Sequence, residues 1–159
     1  MKITIIAVGK IKEKFYRDAI AEYEKRLSRY CNCRILEVLD EKTPDKAGEG
    51  VSNAILKKEG ERIQNLIPEN SYVIATAIEG KKYDSLEFAK LIDQTTIRGI
   101  NHITFIIGGS LGLLDKIKQR ADEMISFSDM TFPHQLMRVI LTEQIYRAFK
   151  INAGEPYHK

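Results

Sequence analysis

HITFIIGGSLG, residues 102–112, decides how this 159-residue chain folds. Six residues rich in β-branched and aromatic types run directly into a loop holding Gly108, Gly109 and Gly112. A short apolar run closed by a turn signal reads as a strand buried on both faces. In open α/β sheets, ligands bind beyond the carboxyl ends of such strands. The stretch therefore predicts both a fold class and the edge of the sheet where chemistry takes place.

Working outward, the same strand-like pattern recurs between segments of helical period. SYVIATAI (71–78) reads as a strand ending in a turn, EGKKY. Asp84 with Glu87 three residues later predicts a helix start, and the helix runs through Leu86, Ala89 and Ile92 to about Ile97. KITIIAV (2–8) and CRILEVL (33–39) are two further strands. Between them Phe15, Ala19, Ile20, Tyr23 and Leu27 recur at helical spacing. DEKTPDKAGEG (40–50) reads as a loop, and residues 51–67 as a helix weakened at Gly60 and stopped by Pro68. Downstream of the glycine loop come a short helix over about 114–121 and a strand-like MISFS (124–128). A long apolar helix then opens at Pro133 and closes near Asn152, before Gly154 and Pro156. Strands alternating with helices imply a mostly parallel sheet with helices on both faces, in one domain spanning 1–159. General topology rules add that such a sheet is un-knotted.

Composition narrows the class. No apolar run approaches the roughly 20 residues of a membrane span, and the opening run Ile3–Val8 lacks a cleavage site, so a cytosolic protein without membrane contact is expected. Cys31 and Cys33 are the only cysteines and have no second pair of ligands, so ordinary reduced thiols and no metal are expected. The net charge of +3 is unevenly spread: residues 1–34 hold nine Lys/Arg against four acids, and the remainder is slightly acidic. A basic end on a balanced protein suits a polyanion, although Glu13, Asp18, Glu22 and Glu24 interleave with the bases as on a solvated helix.

Three segments carry candidate chemistry. GGSLG has neither the Lys-Ser/Thr of a phosphate-binding loop nor the spacing of a dinucleotide fingerprint. It favours a cofactor gripped by backbone groups, or else is a plain tight turn. SFSDMTFPHQLMR (126–138) sets Phe127, Met130 and Phe132 among small hydroxyls, as a loop clasping a ligand or as a buried connection. The last helix mixes Arg138, Thr142, Glu143, Gln144 and Arg147 into an apolar sequence, and Glu143 and Arg147 stand one turn apart. The tail that follows, Glu155-Pro156-Tyr157-His158-Lys159, supplies the aromatic and basic groups that base stacking and phosphate contact require.

Together these motifs resemble one family. GGSLG is similar to its GGS/A-x-G loop, SFSDMTFPHQLMR to its S-x-S-x-M-T-x-P-H-x-x-x-R block, and Pro-Tyr-His-Lys to its terminus. Val8-Gly9-Lys10 and Ala21-Glu22-Tyr23 fit as well, so the likeness spans the chain. The family is the RlmH type of SPOUT methyltransferase, which makes N3-methylpseudouridine in the helix 69 loop of 23S rRNA. The resemblance implies a trefoil knot in the C-terminal part, overriding the un-knotted sheet. It implies S-adenosylmethionine bound near Thr76, Gly108 and the run Phe127, Ser128, Asp129, Met130, Thr131 and Phe132. Many relatives carry Leu where Thr76 stands, so a backbone contact is expected there. It further implies a homodimer in which the partner's tail completes each site, and the assembled ribosome, not DNA, as substrate. Among the candidate catalytic residues, His158 is of the type that titrates nearest neutrality and would take the N3 proton. Tyr157 would stack on or hydrogen-bond the base, and Arg138 would stabilise an imidate oxygen. His134 is the alternative base, or a structural histidine at a helix start. Competing expectations are a tRNA-directed SPOUT enzyme, a non-enzymatic ribosome-binding factor and a nucleotide-binding enzyme of doubly wound type.

Overall fold

A computed structural model describes residues 1–159. Five strands form one sheet in the order β2-β1-β4-β3-β5, and every pairing is parallel. They are β1 (Lys2–Val8), β2 (Asn32–Val38), β3 (Tyr72–Lys82), β4 (His102–Ile107) and β5 (Glu123–Ser126). The helices are α1 (Lys14–Leu27), α2 (Glu49–Gln64), α3 (Ser85–Ile97), α4 (Asp115–Arg120) and α5 (His134–Asn152).

Side-chain alternation sends each strand's residues into two separate cores. Ile3, Ile5 and Ala7 of β1 and Ile103, Phe105 and Ile107 of β4 pack with α1, α3 and α5. Ile6, Val8 and Ile106 face the other way, toward Ile63 of α2 and Ile117 of α4. Both faces are therefore covered, which is why β1 and β4 read as unbroken apolar runs. Asp84 and Glu87 form the reciprocal cap of α3: the Glu87 amide donates to Asp84 Oδ1 at 2.7 Å, and the Asp84 amide to Glu87 Oε2 at 2.9 Å. No helix is long and apolar enough to cross a membrane. Burial pushes the thiols of Cys31 and Cys33 up, to about 11 and about 12, so both stay protonated at neutral pH.

Two local expectations are corrected. α2 continues unbroken through Gly60 and ends at Gln64, before Pro68 is reached; Leu114 packs so closely that a Cβ at Gly60 would lie 2.7 Å from its Cδ2. The EGKKY segment is no terminal turn. β3 pairs with β5 through Thr76, leaves the ladder for four residues, and resumes at Lys81, so that Ile125 stands opposite both Thr76 and Lys81. Ion pairs Glu79–Lys118 (2.5 Å) and Lys82–Asp129 (2.6 Å) flank the excursion. Ala77 and Ile78 of this detour line a cleft at the strand ends, and Gly80 packs against the backbone of Met124 and Ile125. The sheet order and the return of β5 to the edge of β3 are consistent with the knotted threading that the family resemblance implies.

Candidate active site at the strand ends

The carboxyl ends of β3, β4 and β5 and the first turn of α5 surround an open cleft of about 160 Å³. One wall is the detour, with Ala77 and half-exposed Ile78. The floor is the glycine loop. A Cβ at Gly108 would sit 2.5 Å from the carbonyl oxygen of Gly112, and Gly112 itself holds φ of +81°. Gly112 donates its amide to the Gly109 carbonyl at 3.0 Å, closing the turn. Backbone, with no side chain in the way, therefore forms the contact surface.

The opposite wall is the loop from β5 to α5. The Ser126 hydroxyl donates to the Ser128 carbonyl at 3.1 Å, and the Met130 amide donates to Ser128 Oγ at 3.0 Å. These bonds fix a turn that aims Phe127, Met130, Thr131 and Phe132 at the cleft. Met130 is 73% exposed, an uncovered thioether at the mouth. Asp129 is not brought into the cleft: it points outward, pairs with Lys82 and is largely exposed. Thr76 lines the cleft, but its hydroxyl donates to the Ile106 carbonyl at 3.0 Å, so that side chain clamps β3 to β4.

His134 and Met137, in the first turn of α5, complete the lining. No side chain caps this turn, so its leading amides remain open to an anionic group. Burial, with the Arg138 guanidinium nearby, lowers the His134 pKa and keeps the imidazole neutral; its Nδ1 is buried without a partner.

Arg138 does not reach the cleft. Its side chain is 2% exposed and donates to Glu37 Oε2 at 2.7 Å and to the Gly9 carbonyl at 3.1 Å. An imidate-stabilising role for Arg138 is therefore replaced by a structural one: it ties α5 to the ends of β1 and β2. Thr142 turns its hydroxyl back onto the Arg138 carbonyl at 2.5 Å and so packs as an apolar residue would.

The tail lies elsewhere. Tyr157 donates to Glu143 Oε1 at 3.0 Å, Arg147 Nη2 donates to the same oxygen at 2.5 Å, and His158 Nδ1 is 3.3 Å from Arg147 Nη1. The Arg147 guanidinium stacks over the Tyr157 ring, 4.7 Å from its centroid. Burial, then the Glu143 carboxylate, raises the Tyr157 phenol to about 12. Glu143 and Arg147 thus hold Tyr157 and His158. Their spacing of one helical turn signals a pair, while nothing in the sequence links that pair to the tail. Met137 at the cleft and Arg147 at the tail are ten residues apart on one helix, about 15 Å along its axis. Within one chain the cleft and the tail are separate.

Over residues 1–158 the chain matches the family described as "Predicted SPOUT methyltransferase". The chain belongs to the SPOUT methyltransferase family, and it is accordingly an enzyme of methyl transfer. Over its full length it is similar to proteins named ribosomal RNA large subunit methyltransferase H. It is 62% identical to that of Bifidobacterium adolescentis and 60% identical to that of Streptococcus uberis, with 100% of both chains covered in each case. Its fold is similar to a probable methylase family protein from Haemophilus influenzae Rd KW20, with a TM-score of 0.54 at 12% identity, covering 99% of this chain and 70% of that one.

Proposed function

We propose that the protein transfers a methyl group from S-adenosylmethionine to N3 of a pseudouridine in the helix 69 loop of 23S rRNA. It does so within the assembled ribosome, in the cytoplasm and as a homodimer. The observation that carries this reading is a cleft walled by backbone and small hydroxyls, built without a phosphate cradle, together with a Tyr-His tail held on its own ionic network. The full-length likeness to relatives named for large-subunit rRNA methylation supports the choice of RNA.

The residues present fit the cofactor. Gly108 and Gly112 leave backbone polar groups open, Phe127, Met130 and Phe132 offer apolar faces, and the uncapped start of α5 suits a carboxylate. When bound, S-adenosylmethionine supplies an electrophilic methyl on a sulfonium. The chain's own residues must align the target nitrogen with it and remove the N3 proton, because a neutral imide nitrogen has no free lone pair.

Tyr157, with its phenol raised, keeps its proton and can donate a hydrogen bond or stack, but is no base. His158 is the acceptor. A guanidinium only donates, so His158 Nδ1 beside Arg147 is the unprotonated nitrogen, and proton uptake there requires that contact to open. Arg147, not Arg138, is the cation next to the tail and would stabilise charge developing on the base. Because cleft and tail lie apart in one subunit, a complete site takes the cleft of one protomer and the tail of its partner.

The deciding experiment offers labelled S-adenosylmethionine with intact ribosomes, isolated subunits and tRNA in parallel, then maps the modified nucleotide. Label on a helix 69 pseudouridine, with whole ribosomes alone, is the expected result. Label on tRNA would move the substrate, and cofactor binding without transfer to any RNA would overturn the reading.

A further inference from the structure

Behind the tail, on the face that α1 shares with α5, lies a second concavity of about 260 Å³, far more polar than the cofactor cleft. Glu22, Lys25, Arg26 and Arg29 line it from the end of α1, and Tyr30, Tyr146 and Lys150 form the remaining walls. It contains two kinds of cation. Arg26 is neutralised by Glu22 at 2.9 Å, and Lys150 by Glu155 at 2.6 Å. Each also lies over tyrosine rings: Arg26 over Tyr23 and Tyr146, Lys150 over Tyr30 and Tyr146. Lys25 and Arg29 form no ion pair, so the groove keeps a net positive charge above a tyrosine floor.

The groove is continuous with the tail. Tyr146, in its wall, meets the Tyr157 ring edge-on at 4.9 Å between centroids, and Tyr157 is the immediate neighbour of His158. Whatever nucleotide reaches His158 brings its neighbouring backbone toward this groove. Lys25, in the last turn of α1, and Arg29, just past its end, line the same groove, so both cations can be offered to one phosphodiester.

Helix polarity gives a competing account, since cations gather at helix C-termini to complement the dipole. That accounts for Lys25 and Arg26, in the last turn of α1. It does not account for Arg29, which lies beyond Leu27, nor for a concave, tyrosine-lined surface there.

We propose that this groove is a phosphate subsite for the RNA strand, in which Lys25 and Arg29 hold a backbone phosphodiester next to the nucleotide presented to Tyr157 and His158. The inference rests on the RNA-methylating reading above and deepens it. The subsite recognises the backbone and not a base, so it fixes register and leaves the choice of nucleotide to the tail and cleft.

The test compares two double variants with equal loss of charge. Lys25→Ala/Arg29→Ala empties the groove; Lys57→Ala/Lys58→Ala removes two exposed lysines from α2, on the opposite layer. Ribosome binding is measured across a salt titration, with S-adenosylmethionine binding as a check on folding. The groove variant should bind ribosomes about tenfold more weakly and lower the salt slope by roughly 1.4, two contacts' worth. The α2 variant should match the unaltered protein, and Lys25→Arg/Arg29→Lys should restore binding. Equal losses in both Ala doubles would reduce the effect to net charge, and an unchanged groove variant would remove the subsite; either overturns the proposal. Methyl transfer by the unaltered protein is followed separately, so failure of the RNA reading is distinguished from failure of the subsite.

Discussion

The guanidinium of Arg138 on α5 lies 2.7 Å from the Glu37 carboxylate at the end of β2, and its other arm donates to the Gly9 carbonyl just past β1. The pair is asymmetric in exposure, 2% for the Arg138 side chain and 40% for that of Glu37. Glu37 Oε2 also accepts from the Ile11 amide at 3.3 Å, so one carboxylate anchors both the loop after β1 and the start of α5. The asymmetry decides which substitution costs more. Glu37→Ala leaves a buried cation without its counter-charge and should destabilise by about 3 kcal/mol. Arg138→Met fills similar volume with apolar atoms and leaves Glu37 half in water, costing about 1–2 kcal/mol. Urea unfolding of the two variants checks the order, and a Glu37→Ala protein as stable as the parent would remove Arg138 from the structural role assigned to it.

Gly108 and Gly112 should fail for different reasons when changed to Ala. At Gly108 the added methyl would meet backbone, the Gly112 carbonyl, so the loop must open and the cleft floor is lost. At Gly112 nothing lies within 4 Å, but φ of +81° costs an L-residue about 1–2 kcal/mol. Gly108→Ala should therefore weaken S-adenosylmethionine binding at least about tenfold, a loss of roughly 1.4 kcal/mol. Gly112→Ala should chiefly lower the melting temperature. Calorimetric titration beside thermal melts separates them; equal affinity in Gly108→Ala would take the glycine loop out of the site.

His134 gives the protein a pH dependence of definite sign. Burial and Arg138 depress its folded pKa, so the unfolded chain binds a proton that the folded chain refuses. Stability from this source is fully present above the unfolded pKa, near 6.5, and is lost as the pH falls below it. His102, held down by burial and Arg34, acts in the same direction. His134→Gln should flatten the stability profile between about pH 5 and 7, and adding His102→Gln should flatten it further. A profile unchanged by both exchanges would contradict the neutral, half-buried state of these rings.

Local patterns in the sequence make most of the fold legible. The apolar period from Phe15 to Leu27, the Asp84/Glu87 cap and the run HITFII each specify an element from neighbouring residues alone. What stays hidden depends on distant partners. The resumption of β3 at Lys81 requires β5, whose pairing residue Ile125 lies 44 positions later, so EGKKY reads locally as a turn. The candidate cofactor residues converge on one cleft because they sit at strand ends, which sequence order does reveal. Asp129 departs because the turn built on Ser128 points its carboxylate toward Lys82. Arg138 departs because a helical position fixes neither the depth of a side chain nor its partner: Glu37 lies 101 residues away.

The separation of cleft and tail along α5 makes a prediction about the dimer that single variants cannot test. His158→Ala should lower turnover while leaving folding and S-adenosylmethionine affinity intact, since the residue is exposed and its side-chain hydrogen bond is to Arg147. Gly108→Ala should lower turnover through the cofactor. If each site joins one protomer's cleft to its partner's tail, a heterodimer of the two variants contains one site with both defects and one with neither. Co-expressed and mixed at random, about half the dimers are heterodimers, so about a quarter of the sites recover. If cleft and tail served the same protomer, every site in the mixture would carry one defect and no activity would return. Methyl transfer by the mixture, measured against each homodimer and with exchange verified by differentially tagged chains, reads the difference directly. Recovery near a quarter would establish the shared site, and activity no higher than the mean of the two homodimers would refute it.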